Sequence, residues 1–405
     1  MLDCSRRSII IFLLMALFLC FEMALQVSPG VMTHELSRDL HLNPFDLGIM
    51  SGMYFITYSA MQIPSGLMYD RLDIVKVVSS ALLICGIGAG LFGLSTSMLT
   101  AASARMFMGF GSAFAFLSVL TVAARYFNPK YFAMLAGIAQ LLAALGAIGG
   151  ELPIAWLNGH LGWRYSFILF LIIALLLIFC ILMAFRDIPV ECKIPPQSEK
   201  VHSSLKEILK SGQTWLVGCY ALLNWAPMTA FASLWGVPFL MAKYHLSLNM
   251  AATLCSLLWV GVGLSSPVMG VLSDVIKSRK LVLIGTALCG ALAFLGLLYL
   301  KDLSLVSVGI LLFFGGMGSS GQIVSFAVIK DRTLPHRTSA AIGFNNMAEV
   351  ASGIIMQPLI GKLIVLSGFA ATSLAAYHAS LWILPACQGL CVLLALFFIR
   401  ETYAR

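Results

Sequence analysis

Apolar residues in this chain come in blocks of twenty or more, separated by short clusters of Asp, Lys, Arg, Gly and Pro. A helix needs about 20 mostly apolar residues to cross the hydrocarbon of a bilayer. The blocks predict spans near residues 8–31, 46–68, 74–95, 99–125, 131–157, 165–185, 214–242, 250–272, 281–300, 304–329, 339–362 and 375–399. The first block follows Arg6 and Arg7 in the manner of a signal peptide. It has no small-residue cleavage site and runs on to about Val31, so an uncleaved first span is expected. The pattern predicts an all-α membrane protein with twelve transmembrane helices.

Composition agrees. Of 405 residues 60% are apolar and 10% charged, against roughly 45 to 50% and about 25% in soluble domains. An ordinary water-soluble enzyme is excluded. The net charge of +8 is a matter of topology: nineteen of the 25 Lys and Arg fall in loops on one side. Arg38, Arg164, Lys243, Lys301 and Lys362 fall on the other, and Arg105 lies within a span. The positive-inside rule then puts both termini in the cytoplasm. Lipid is the expected partner of the cations, and nucleic acid is not. Most of the ten cysteines lie in apolar segments, with no CxxC pair and no His at metal spacing, so no metal is expected.

Residues 186–212 form the longest hydrophilic stretch. It carries Pro189, Pro195 and Pro196, then an amphipathic piece opened by Ser204 and Glu207 at capping-box spacing. We read a linker between two sets of six spans, residues 1–185 and 213–405. A repeat crosses it. GLMYDR from Gly66 corresponds to GVLSDV from Gly270, which puts Asp70 and Asp274 204 apart. GFGSA from Gly109 corresponds to GMGSS from Gly316 at 207, and Pro129 and Gly137 to Pro335 and Gly343 at 206. Six spans return the chain to its starting side, so duplicated halves have parallel orientation.

Two short loops, after spans 2 and 8, share a Gly, an Asp four residues on, and then cations: Gly66, Asp70, Arg71, Lys76 and Gly270, Asp274, Lys277, Arg279, Lys280. A carboxylate in such a turn can accept hydrogen bonds from a neighbouring helix N-terminus while the cations meet anionic headgroups. Plain topological charge would not need the Gly and Asp twice, so Gly66, Asp70, Arg71, Gly270 and Asp274 are read as conformational gating residues. With these loops, Arg105, Gly109 and Gly111 in span 4, and Gly162, Trp163 and Arg164 between spans 5 and 6, the whole chain resembles the major facilitator superfamily. Two departures stand out: Asp73 where the family usually has Gly, and Val275 in place of the usual second-loop cation. The stretch FEMALQVSPGVM from Phe21, LGIMSGMYFITYSAMQIPSGLMYDR ending at Arg71, and GAIGGELP from Gly146 are similar to the proteobacterial intraphagosomal transporters. That family's members import amino acids and in some cases nucleosides. The resemblance implies the major facilitator fold, alternating access, and a midplane site lined by spans 1, 4, 7 and 10. Span 5 lacks the Gly-Pro that drug-exporting antiporters of the superfamily carry, having Leu145 and Gly146 instead, which favours uptake.

Ionisable residues inside spans carry most of the functional information, because each costs about 2.5 to 3.5 kcal/mol at a helix centre on insertion scales. Glu22 in span 1, with Gln26 one turn on and Pro29 beyond, and Glu349 in span 11 are the proton-coupling candidates, Glu22 first. The competing role for each is a carboxylate that locks helices together. Arg105 can hold a substrate carboxylate bidentately or pair with Glu151. Gln26, Arg105, Gln140, Asn224, Trp225, Gln322, Asn345 and Asn346 are the substrate-cavity candidates, with Trp235 and Gln357 beside them. Each of the amides can instead bridge helices. Pro227 and Pro238 predict a bent span 7.

GxGxxG occurs at Gly88 and again at Gly316, but inside apolar spans with no strand before it, so close helix packing explains it. No HExxH, GxSxG or ATP-binding motif occurs. We expect a monomeric, cofactor-free, non-enzymatic transporter that takes up a small polar solute, such as an amino acid, with protons. An efflux antiporter for amphipathic compounds or a siderophore is the rival within transporters, and a non-transporting receptor or scaffold the rival from another class.

Overall fold

The computed structural model describes residues 6–128, 131–186, 208–333 and 338–403. The proposed linker helix from Ser204, and Pro129 and Pro335 of the repeat, lie outside them. Ten helices among the described residues are long and apolar enough to cross a membrane. Two further helical stretches, Pro44–Arg71 and residues 212–244, occupy the positions predicted for spans 2 and 7. Span 2 is diluted by polar side chains, of which Ser51, Ser59, Gln62 and Ser65 are buried. A short helix over Thr33–Asp39, between spans 1 and 2, was not expected from the sequence; seven residues are too few to show a period.

The chain divides into two compact units. One holds spans 1 and 3–6 with most of span 2; the other holds spans 7–12 together with Asn43–Gly48. Within the first, span 1 (Arg6–Val27) packs on span 5 (Phe132–Leu161), and span 3 (Ile74–Gly93) on span 6 (Trp163–Phe185) and on the first piece of span 4 (Met98–Ser112). Within the second, span 7 packs on span 11 (Thr338–Leu366), and span 9 (Arg279–Tyr299) on span 12 and on the first piece of span 10 (Leu305–Ser319). The pairings are the same six spans later.

The repeat reaches single atoms. A Cβ on Gly109 would run into the Tyr54 carbonyl, and one on Gly316 into the Leu258 carbonyl. A Cβ on Gly66 would rest 3.6 Å from Leu117, and one on Gly270 3.7 Å from Ile323. Span 4 breaks after Ser112 and resumes at Ala115, and span 10 breaks after Ser319 and resumes at Gly321. Gly88 and Gly318 likewise meet neighbouring backbone, at Met108 and Gly290. Helix packing therefore accounts for both GxGxxG matches.

Cations on the sparsely charged side are mostly committed to the protein. Arg164 donates to the carbonyls of Gly93 (3.1 Å) and Ser95 (2.6 Å) at the end of span 3, and stacks on Trp163. Lys243 donates to Leu297, Leu298 and Leu300 at the end of span 9. Both sites place positive charge where orphan carbonyls and the helix dipole favour it. The turn into span 6 needs Gly162, whose φ of 82° suits a residue without Cβ. Trp163 Nε1 then donates to Asp39 at 2.9 Å, tying the unexpected short helix to span 6. The hydrogen bonds from Arg38 and from Trp163 hold the Asp39 carboxyl below its ordinary range.

Candidate functional site

Span 1 stops being α-helical at Val27 and continues as a 3₁₀ turn over Ser28–Val31. Pro29 is the cause. It has no N–H to give the Leu25 carbonyl four residues back. Arg105 fills the gap: Nη1 donates to Leu25 O at 2.8 Å and Nη2 to Gln26 O at 3.3 Å. The guanidinium, fully buried, lies 4.5 Å from the centroid of the Tyr54 ring. The Tyr54 hydroxyl in turn donates to Glu22 Oε1 at 2.8 Å. Glu22, Tyr54 and Arg105 thus form one chain of contacts through spans 1, 2 and 4, with no solvent access at any of the three. Glu22 Oε2 and Arg105 Nε have no protein partner. Glu151 is buried in span 5 of the same unit.

Tyr54 escaped the sequence reading. Its only signal was a phenol inside an apolar span, which is more often packing than chemistry. Arg105 is engaged by the carbonyl end of span 1, a role that no pairing of charged residues in the sequence would reveal. Gln26 contributes its carbonyl to that contact, and its side chain is buried. Gln140 is half-buried.

In the second unit the polar candidates fall into three groups. Asn224 Nδ2 donates to Gly318 O (3.0 Å) and Gln388 Oε1 (3.1 Å), while Gln388 Nε2 donates back to Asn224 O (3.1 Å). This reciprocal pair joins spans 7 and 12; Gln388 was missed. Trp225 packs edge-on against Trp259. The second group surrounds Pro227–Trp235, where span 7 widens into a π-helix. Gln357 Nε2 donates to Thr229 O at 2.7 Å, Thr229 shares a hydrogen bond with Ser352, and Trp235 Nε1 donates to Gln357 O. The third comprises Gln322, Ser325, Asn345 and Glu349 on spans 10 and 11, with Asn345 Nδ2 donating to Ser325 Oγ at 2.8 Å. Asn346 is half-buried beside it.

The two duplicated loops differ in detail. In the first, Asp73 caps span 3, accepting from Val75 N (2.7 Å) and Lys76 N (3.2 Å), which accounts for an Asp where Gly was usual. Arg71 is exposed, the side chain of Asp70 lies outside the described residues, and Arg125 donates to Tyr69 O. In the second, Arg279 supplies the cation that Val275 does not: it pairs with Asp274 at 2.6 Å and with Asp331 at 3.2 Å. Glu401 completes this cluster by accepting from Ser278 Oγ, Arg279 N (3.0 Å) and Lys280 N (3.2 Å), and so caps span 9.

Burial alone would push the Glu401 carboxyl up. Hydrogen bonds from Ser278 and from the N–H groups of Tyr403, Arg279 and Thr402 outweigh it and hold the group at about 2. The sign follows: a depressed carboxylate contributes stability above its unfolded range near 4.3, and loses that contribution as pH falls toward about 2. We expect acid to lower the thermal unfolding temperature of the wild type more than that of Glu401→Gln between about pH 5 and pH 3. Parallel pH curves for the two would contradict this. The effect is small because the carboxyl is largely solvent-screened.

Among the described residues no group of three or more His, Cys, Asp or Glu gathers as metal ligands would.

No curated protein matches the sequence. Solved structures do. A bacterial homologue of the human lysosomal transporter Spinster, inward-facing and unoccupied, is 15% identical with a TM-score of 0.75, covering 97% of this chain and 96% of that one. The D-xylose–proton symporter is 15% identical at 0.76, covering 97% and 98%. The nucleoside transporter NupG is 14% identical at 0.76, covering 98% of each. At these identities the likeness is one of fold. The sequence also matches the Major Facilitator Superfamily over residues 11–237 and again over 217–405, once for each set of six spans. The chain belongs to the Major Facilitator Superfamily and is a non-enzymatic membrane transporter.

Proposed function

We propose that the protein takes up a small polar solute, an amino acid or similar nutrient, by alternating access driven by protons. It would work in the bacterial cytoplasmic membrane with both termini in the cytoplasm, residues 1–185 and 213–405 forming its halves around the 186–212 linker. The observation that carries the reading is the buried Glu22–Tyr54 hydrogen bond backed by Arg105. An ionised carboxylate sealed in the bundle with one oxygen unpartnered is costly, whereas the neutral acid is not. Binding and release of a proton at Glu22 therefore changes the energy of the span 1 kink through Tyr54 and Arg105, which makes proton and conformation interdependent. A proton-coupled sugar carrier among the structures of the same fold, and the likeness of Phe21–Arg71 to amino-acid and nucleoside importers, support the same reading.

The test is flux in proteoliposomes. With an inward proton gradient, at least one labelled amino acid or nucleoside should accumulate, and a protonophore should abolish accumulation. Gradient-driven expulsion of amphipathic compounds would favour the efflux rival, and absence of flux across the panel would favour the scaffold.

A further inference from the structure

The group on spans 10 and 11 has a chemical bias. Ser325 Oγ donates its single hydrogen to Gln322 O at 2.7 Å, so toward Asn345 it can only accept. That fixes the Asn345 amide with Nδ2 toward Ser325 and Oδ1 pointing away. Asn345 Oδ1, Gln322 Oε1 and Glu349 Oε2 are all buried and all without a partner. The three side chains are between 0% and 4% exposed.

Helix geometry places these residues at neighbouring levels of two packed helices. Span 10 and span 11 are consecutive, antiparallel and packed together. Gln322 precedes Ser325 by three residues and Glu349 follows Asn345 by four, so both lie about one turn to the same side of the Asn345–Ser325 bond. Every orphan atom of the group is an acceptor, and one belongs to a carboxylate. A protonated Glu349 would have one hydrogen to offer and would leave acceptors unmet. A primary ammonium has three donors and a positive charge, which matches both the count and the sign.

We infer that Gln322, Asn345 and Glu349 form the receptor for a primary ammonium group on the transported solute. The inference rests on the transport reading and narrows its substrate class to amines and amino acids. Glu349 serves recognition, which leaves proton coupling to Glu22.

Matched solutes test it on the purified full-length protein by thermal unfolding. The standard amino acids are compared with their desamino carboxylates, with 3-methylbutylamine and other primary alkylamines, and with sodium chloride against choline chloride. At least one amine should raise the unfolding temperature while its desamino counterpart does not. Glu349→Gln and Gln322→Met should each weaken that amine about tenfold or more, and their response to choline chloride should match the wild type. Four results overturn the inference: no stabilising amine, equal stabilisation by the desamino partner, an amine response unchanged in both variants, or stabilisation by sodium alone. The wild-type comparison stands even where a variant fails to fold. Uptake of anionic or neutral solutes without amine binding would overturn the ammonium site and leave transport intact. Amine binding without any flux would do the reverse.

Discussion

Glu22→Gln should reduce uphill accumulation more than about tenfold while leaving solute exchange across equilibrated membranes within about twofold of wild type. One proton moving down 100 mV releases about 2.3 kcal/mol, enough for roughly fiftyfold accumulation. Glutamine keeps the shape and can still accept from Tyr54, but it neither takes up nor releases a proton at neutral pH. The empty carrier then changes sides without a protonation step, and exchange, which needs none, persists. Wild-type accumulation should rise as the outer pH falls, because a lower outer pH fills the site from outside; the variant's residual uptake should be flat. Tyr54→Phe, which removes the Tyr54–Glu22 hydrogen bond and keeps the ring under Arg105, should fall between the two. A Glu22→Gln protein that still accumulates solute in proportion to the pH gradient would show that the proton enters elsewhere.

Alanine at Gly109 or Gly316 should each destabilise the protein by about 1 to 3 kcal/mol, measured as a fall in thermal unfolding temperature or in folded yield. In both places the new methyl group would meet a backbone carbonyl, of Tyr54 or Leu258, and backbone has no rotamer by which to retreat. Alanine at Gly66 or Gly270 meets only the tips of Leu117 and Ile323 at ordinary contact distance. It removes backbone freedom from the unfolded chain, so it should be neutral or stabilising by up to about 1 kcal/mol. Equal effects at all four glycines would mean that these crossings do not limit the packing. Gly109→Ala should also disturb proton dependence, since the carbonyl it displaces belongs to Tyr54, whereas Gly316→Ala touches no such group.

Each span was legible because about twenty apolar residues in a row have few other uses. The observed helices depart from the predicted bounds mainly by overshooting into polar ends, as with span 5, which runs on to Leu161. The repeat was legible partly through Gly109 and Gly316, where a close crossing forbids any other residue and so leaves the same letter in both halves; Gly66 and Gly270 recur without that constraint. The site was only partly legible. Charge rarity alone picked out Glu22, Arg105 and Glu349, but what each touches depends on neighbours tens of residues away. Tyr54, Gln388 and Glu401 carry ordinary letters in ordinary contexts, and their roles exist only once spans 2, 12 and the chain end are in place. The two departures from the loop pattern make the same point. Asp73 turned out to be a helix cap, and the missing cation at Val275 is provided by Arg279 from the next helix.

Span 2 bears on how the protein is made. It carries its buried serines, Gln62 and several phenols into the bilayer, and it is not among the helices apolar enough to cross alone. At the translocon such a segment partitions poorly by itself. Its retention is then expected to depend on span 1 beside it and on the arrival of spans 3 and 4, so that insertion of the first four spans is cooperative rather than a series of independent events.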